Sequence, residues 1–184
     1  MTNTIPYGKH YLDQEDIDAV VDVLEKHPLT QGKKIEEFEA AVAKYVGAKY
    51  AVAMSSWTAG LHMACLAAGV SAGDAVVTSP ITFVASANAA LYCGARPVFS
   101  DVAGDTINLD AEHLKRTITK TPNIKAIIPV HFAGLPCDMV AIKSLADELG
   151  AWVIEDAAHA LGATYEDGSK VGSCKNSDMT GFSF

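Results

Sequence analysis

The residues best suited to chemistry gather in "WVIEDAAHALG", Trp152 to Gly162. An apolar run stops at two acids, Glu155 and Asp156, and His159 follows three positions after Asp156. An unpaired carboxylate is costly to bury, so acids that close an apolar strand need a partner. Two partners suit these residue types. One is a metal ion, held by Asp156 and His159 on one helical turn, with His131 as third ligand. The other is a protonated ring nitrogen, whose charge a buried carboxylate favours. The second ranks higher, because His10, His27, His62 and His113 sit in helices or loops with no matching pattern. No metal site is therefore expected.

Two other stretches could serve a ring that carries a phosphate. "MSSWTAGLH" runs from an apolar strand through Ser55, Ser56, Trp57 and Thr58 into a helix. A helix N-terminus offers free N–H groups and a positive dipole end, and Thr58 adds a hydroxyl. Ordinary capping by Ser or Thr explains the same residues. "TSPITFVASANAAL" sets Phe83 just past a strand end. Phe83 is either a core aromatic or a ring that stacks on a planar ligand. The pieces combine as phosphate on the "SWT" helix start, Phe83 on the ring face and Asp156 at the ring nitrogen. A pyridoxal phosphate ring needs that nitrogen protonated to act as an electron sink. No Walker motif or GxGxxG is present, so other phosphate-binding fingerprints are not supported.

The elements that must position these residues follow from periodicity. "DQEDIDAVVDVLEKH" reads as a helix capped by Asp13, with Ile17, Val20, Val21 and Leu24 on one face. Pro28 ends it. "IEEFEAAVAKYVG" is a second helix, with Ile35, Phe38, Val42 and Val46 on one face and Gly47 closing it. Strands are expected at Tyr50–Met54, Ala75–Thr78, Pro97–Val102, Ile124–Val130 and Trp152–Glu155, with another starting at Phe182–Phe184. Helices are expected at Thr58–Ala68, Phe83–Cys93, Asp110–Ile118 and Met139–Leu149. Alternating helices and wholly apolar strands indicate an α/β fold: a three-layer α/β/α sandwich around a mainly parallel sheet. Ligands bind such sheets beyond the carboxyl ends of the strands, where "SSWTAG", "SPITF", "HFAG" and "EDAAH" converge.

Composition narrows the function classes. With 22 acids against 14 Lys and Arg, and no basic run, nucleic acid is not an expected partner. No leader-like apolar region opens the sequence, and "AVAMSSWTAGLHMACLAAGV" is too interrupted to span a membrane. Cys65, Cys93, Cys137 and Cys174 form no CxxC pair and read as reduced thiols of a cytoplasmic protein.

The stretches "PLTQGKKIEEFE", "SSWTAGLH", "SPITFVASANAAL", "PVHFAG", "VIEDAAHALGATYEDGSKVG" and "GFSF" together resemble the DegT/DnrJ/EryC1/StrS sugar aminotransferases. These belong to the fold-type I pyridoxal phosphate enzymes. The start "IPYGKHYLDQEDIDAVVDVLEKHPLTQGK" is most similar to members that aminate C4 of a UDP-linked 4-keto-6-deoxy N-acetyl sugar in pseudaminic acid biosynthesis. The resemblance implies pyridoxal 5'-phosphate as cofactor and L-glutamate as amino donor. It implies a UDP-linked keto-sugar as acceptor, giving UDP-4-amino-4,6-dideoxy-N-acetyl-beta-L-altrosamine, and a homodimer in the cytoplasm. Asp156 would pair with the ring nitrogen and Phe83 would stack on the ring. Trp57, Thr58 and Ser183 would hold the phosphate, and His159 would lie near the ring oxygen. Tyr7 and the loop His27, Pro28, Leu29 and Thr30 would touch the sugar nucleotide, with Trp57 and Ser183 beside them. Many members carry a small residue where Trp57 stands, so its bulk is a departure. The family's Schiff-base lysine follows "FSF" and is absent before Phe184; Lys170 and Lys175 precede the motif and read as solvated charges. Residues 1–184 are thus expected to be the N-terminal portion of an incomplete large domain, without the small C-terminal domain and without activity of its own. A sugar dehydratase of the same fold, with histidine for the lysine, or a non-catalytic sugar-nucleotide-binding protein are the alternatives.

Overall fold

Local rules explain the helices. The computed structural model describes residues 10–184. Helix α1, Gln14–Lys26, starts at a reciprocal cap: Asp13 accepts the N–H groups of Glu15 and Asp16, and Asp16 accepts that of Asp13. Helix α2, Lys33–Val46, ends at Gly47, whose φ of 84° is the left-handed conformation glycine adopts without penalty. Helix α3 spans Trp57–Ala67. Strand β1, Ala75–Thr78, leads to α4, Ala85–Tyr92, and β2, Arg96–Phe99. Helix α5, Ala111–Ile118, is capped by Asp110, which accepts the His113 N–H at 2.7 Å. Strand β3, Ile124–Ile128, helix α6, Met139–Leu149, and strand β4, Trp152–Asp156, follow, and β5 is Met179–Gly181.

The sheet order is β2-β1-β3-β4-β5, with every pair parallel. Successive strand residues face opposite ways. Val76, Ile128 and Ile154 pack with Leu61, Cys65 and Ala89 of α3 and α4. Their neighbours Val77, Ile127 and Val153 pack with Leu114, Met139 and Ile142 of α5 and α6. Helices on both faces of one parallel sheet make the expected three layers. From β1 the chain moves outward to β2, then crosses back to β3 on the other side of β1. The loops after β1 and β3 therefore diverge, and the crevice of a doubly wound sheet opens between them.

Two expected strands differ. Tyr50–Met54 keeps a strand's alternation: Tyr50, Val52 and Met54 are exposed, Ala51 and Ala53 half-buried. No strand among the described residues pairs with it. A strand is stable only with a neighbour, and here a cavity of about 850 Å³ lies between Tyr50–Met54 and Met179–Phe184. The N–H of Ala53 instead donates to Glu39 at 2.7 Å. The last strand is Met179–Gly181, and Phe182–Phe184 is not part of it, because β4 ends at Asp156, the partner of Gly181. Pro97–Val102 and Ile124–Val130 shorten to β2 and β3, leaving Val102 and Val130 in single bridges to Leu109 and Asp156. Among the described residues no helix is long and apolar enough to cross a membrane.

Leu114 tests this core. It is fully buried at the junction of α5 with the sheet. Leu114→Ala is expected to lower unfolding free energy by about 2–5 kcal/mol in urea titrations; a loss below about 1 kcal/mol would contradict the packing described.

Candidate functional site

Asp156 is held first by its backbone. Its N–H donates to Pro129 at 2.9 Å and its carbonyl accepts from His131 at 3.0 Å, so the end of β4 is tied to the loop after β3. The side chain is 4% exposed. Its Oδ1 accepts the indole N–H of Trp57 at 2.8 Å, with the Ala158 N–H more distant at 3.4 Å. Its Oδ2 accepts the Ser86 hydroxyl at 2.7 Å. The Ser86 hydroxyl has one proton, and the carboxylate is its stronger and closer acceptor. Thr82, 2.7 Å from the Ser86 oxygen, then supplies its own proton to Ser86. Among the described residues no Lys, Arg or His forms an ion pair with Asp156. The donors that orient its carboxyl are neutral.

Glu155 points to the other face of the strand and is solved differently. It is 1% exposed. The His131 ring lies 2.6 Å from Oε2, Thr180 donates to Oε1 at 2.8 Å, and the hydroxyls of Tyr165 and Ser177 also donate to it. The Cys137 N–H donates to His131 Nδ1 at 3.1 Å, so the ring proton is on Nε2 and points at Glu155. Burial raises the Glu155 carboxyl, but the His131, Ser177 and Tyr165 donors outweigh it and hold the group below its ordinary 4.5. Burial and the Glu155 charge raise the Tyr165 phenol, which stays a donor.

The loops after β1, β3 and β4 meet in a cleft of about 40 Å³ lined by Thr82, Phe83, Val130, His131, Asp156, Ala158 and His159. Phe83 stands on its rim, 71% exposed, just ahead of α4. His159 is exposed in a turn, not on a helix. At the start of α3, Ser56 accepts the Ala59 N–H at 3.2 Å. The N–H groups of Trp57 and Thr58 have no acceptor among the described residues. Ser183 is exposed and borders the same large cavity as Ser55, Ser56 and Trp57.

Other expected residues lie elsewhere. His27 pairs with Asp22 at 3.0 Å, and His27, Pro28, Leu29 and Thr30 line neither cavity. Tyr7 lies outside the described residues. Lys170 sits over the Tyr45 ring, 3.4 Å from its centre, and Lys175 pairs with Asp167. His131 is committed to Glu155 and Cys137 rather than to a site with His159. All four cysteines are free, and burial pushes the Cys65 and Cys137 thiols up to about 12. The sequence reading missed Ser86 and the ring of donors around Glu155. Ser86 carries one signal, since it falls one helical turn after Phe83.

The Glu155 network yields a pH prediction. A carboxyl held below its ordinary value stabilises the fold above about pH 4.5, and the gain disappears as pH falls through the folded-state value. Glu155→Gln is expected to cost about 3 kcal/mol at pH 7 and to flatten the stability profile between about pH 5 and 3. Denaturant unfolding across that range checks it, and an unchanged profile would contradict the assignment.

Comparison with known proteins identifies the family. The family model described as the DegT/DnrJ/EryC1/StrS aminotransferase family matches residues 10–184. Spore coat polysaccharide biosynthesis protein SpsC of Bacillus subtilis is 44% identical over 180 residues, 98% of this chain and 45% of the relative. The chain thus spans about half the length of the curated relatives it matches. Helicobacter pylori PseC, an aminotransferase involved in the biosynthesis of pseudoaminic acid, superposes with a TM-score of 0.87 at 34% identity, covering 97% of this chain and 47% of that one. Spr1654 of Streptococcus pneumoniae, solved in PLP and PMP forms, gives 0.90 at 31% identity, covering 98% and 48%. With the matched sequence and the shared parallel-sheet fold in agreement, this chain belongs to the DegT/DnrJ/EryC1/StrS aminotransferase family.

Proposed function

We propose that residues 1–184 form part of the cofactor-binding large domain of a longer pyridoxal-phosphate-dependent transaminase, which aminates a nucleotide-linked 4-keto-6-deoxy sugar. One observation carries the reading: Asp156 is a buried carboxylate oriented by neutral donors and paired with no cation among the described residues. A protonated pyridine nitrogen completes it. The other residues fit the same group. Phe83 offers an exposed ring at the cleft mouth. The free N–H groups opening α3, with Thr58 and Ser183, suit the phosphate. His159 is the residue for the ring oxygen.

Pyridoxal phosphate, when bound, supplies the electron sink and carries the amino group between donor and acceptor. The chain's residues act by position and charge. Asp156 holds a proton on the ring nitrogen. Phe83 would stack on one ring face and shield it from water. The dipole of α3 anchors the phosphate and so fixes the ring against Asp156.

The names of SpsC and PseC, which speak of polysaccharide and pseudoaminic acid biosynthesis, support a sugar acceptor. In this reading the acceptor is a UDP-linked 4-keto-6-deoxy N-acetyl sugar of the pseudaminic acid route, and L-glutamate is the donor. Tyr7 and His27–Thr30 belong to the sugar-nucleotide subsite, and the full-length enzyme works as a cytoplasmic homodimer. The uncovered apolar face of α1, with Val20 and Leu24 exposed, suits such an assembly.

The test combines full-length protein, pyridoxal phosphate, L-glutamate and the UDP-linked keto-sugar. Equal amounts of 2-oxoglutarate and amino-sugar nucleotide are expected by mass spectrometry; sugar consumed with water loss and no amination would overturn the reading. Asp156→Asn in the same protein is expected to lower kcat at least about 100-fold, a larger loss than in cofactor affinity. Turnover near the normal rate would remove Asp156 from the ring nitrogen.

A further inference from the structure

We propose that Trp57 is a positioning residue, whose indole N–H locks the Asp156 carboxylate while Gly60 and Gly181 form the socket that admits the ring. The role goes beyond the phosphate contact expected of Trp57, and it rests on the reading of Asp156 as partner of a cationic ring nitrogen.

The indole spans the gap between α3 and the end of β5. A Cβ placed on Gly181 would lie 1.9 Å from two atoms of the Trp57 ring, and one on Gly60 would lie 2.4 Å from a third. Neither glycine has a left-handed φ, so the backbone does not demand glycine at either place. Gly60 lies inside a helix, where glycine is unfavourable relative to alanine. The indole supplies the reason for both: only hydrogen atoms leave room for it.

The hydrogen bonding explains what the ring achieves there. Trp57 of α3 takes Oδ1 and Ser86 of α4 takes Oδ2. The carboxylate cannot turn about its own axis without losing both. Oδ2, with Ser86 as its one donor, keeps an acceptor position, and Asp156 lines the cleft beside Phe83 and Ala158. An indole donates but carries no charge and does not titrate. It therefore orients Asp156 without satisfying its charge, whereas Lys or Arg in its place would compete with the ligand's cation.

The chain has two tryptophans, Trp57 and Trp152, so its ¹⁵N-tryptophan spectrum contains two indole signals. Trp57→Phe keeps an aromatic ring and identifies the Trp57 signal by its loss. That signal is expected to exchange with water at least tenfold more slowly than that of Trp152, which is 41% exposed, and to move upfield in Asp156→Asn. A signal that exchanges as fast as Trp152 and ignores Asp156→Asn would overturn the proposal. Thermal unfolding tests the socket separately. Gly181→Ala should lower Tm clearly in the natural background and little in Trp57→Ala; equal losses in both would refute it. Equilibrium dialysis with pyridoxamine 5'-phosphate supplies a readout that simple packing would not move. Trp57→Phe should weaken binding about tenfold beside Asp156 and less than twofold in the Asp156→Asn background; independent effects overturn positioning. Failure of every form to bind this probe, with the indole signal still coupled to Asp156, would sink the cofactor reading and leave the indole–carboxylate lock standing.

Discussion

Everything at the site depends on how one strand end disposes of two adjacent acids. Glu155 and Asp156 are both buried, and strand geometry sends them to opposite sides. Neither can be left in apolar surroundings without partners. Glu155 is closed off by His131, Tyr165, Ser177 and Thr180, which use up its acceptor positions. Asp156 receives two strong neutral donors and keeps capacity toward the cleft. One acid is structural because it is saturated, and the other is available because it is not.

The sheet order determines where that availability is useful. Because β1 lies between β2 and β3, the loops leaving β1 and β3 part above the sheet. Phe83 comes from the first loop and His131 from the second, while β4 lies beside β3 and brings Asp156 to the opening. The bridge between Val130 and Asp156 continues the β3–β4 pairing to the last residue of β4, just ahead of the turn at Ala158 and His159. Backbone pairing thus brings the carboxylate to its place, and side chains from α3 and α4 set its orientation.

Much of this was legible in the sequence, and the boundary between legible and hidden has a physical cause. The caps at Asp13 and Asp110 are local, made within three residues, and the structure confirms both. The run of apolar strands and helices is also local and led to the correct layers. Tyr50–Met54 shows the limit, because composition and alternation describe a strand's faces but not whether a neighbour exists to pair with it. The Trp57–Asp156 and Ser86–Asp156 bonds join residues 99 and 70 positions apart. No periodicity encodes such contacts. The resemblance pointed to Trp57 through its position at the helix start, while its side chain turns to the carboxylate.

Neutral donors also make the site's charge robust. A hydroxyl and an indole keep their protons throughout the range in which carboxylates, imidazoles and thiols titrate. The orientation of Asp156 therefore does not change when a neighbouring group gains or loses a proton. His131, the buried imidazole of the cleft lining, is held in one tautomer by Cys137 and Glu155. Its proton is directed away to the saturated acid, so the histidine does not supply Asp156 with a counter-charge. The buried cysteines are kept as thiols by the same low polarity that raises them to about 12. Among the described residues Asp156 is thus met by neutral donors alone, and its remaining acceptor position faces the cleft.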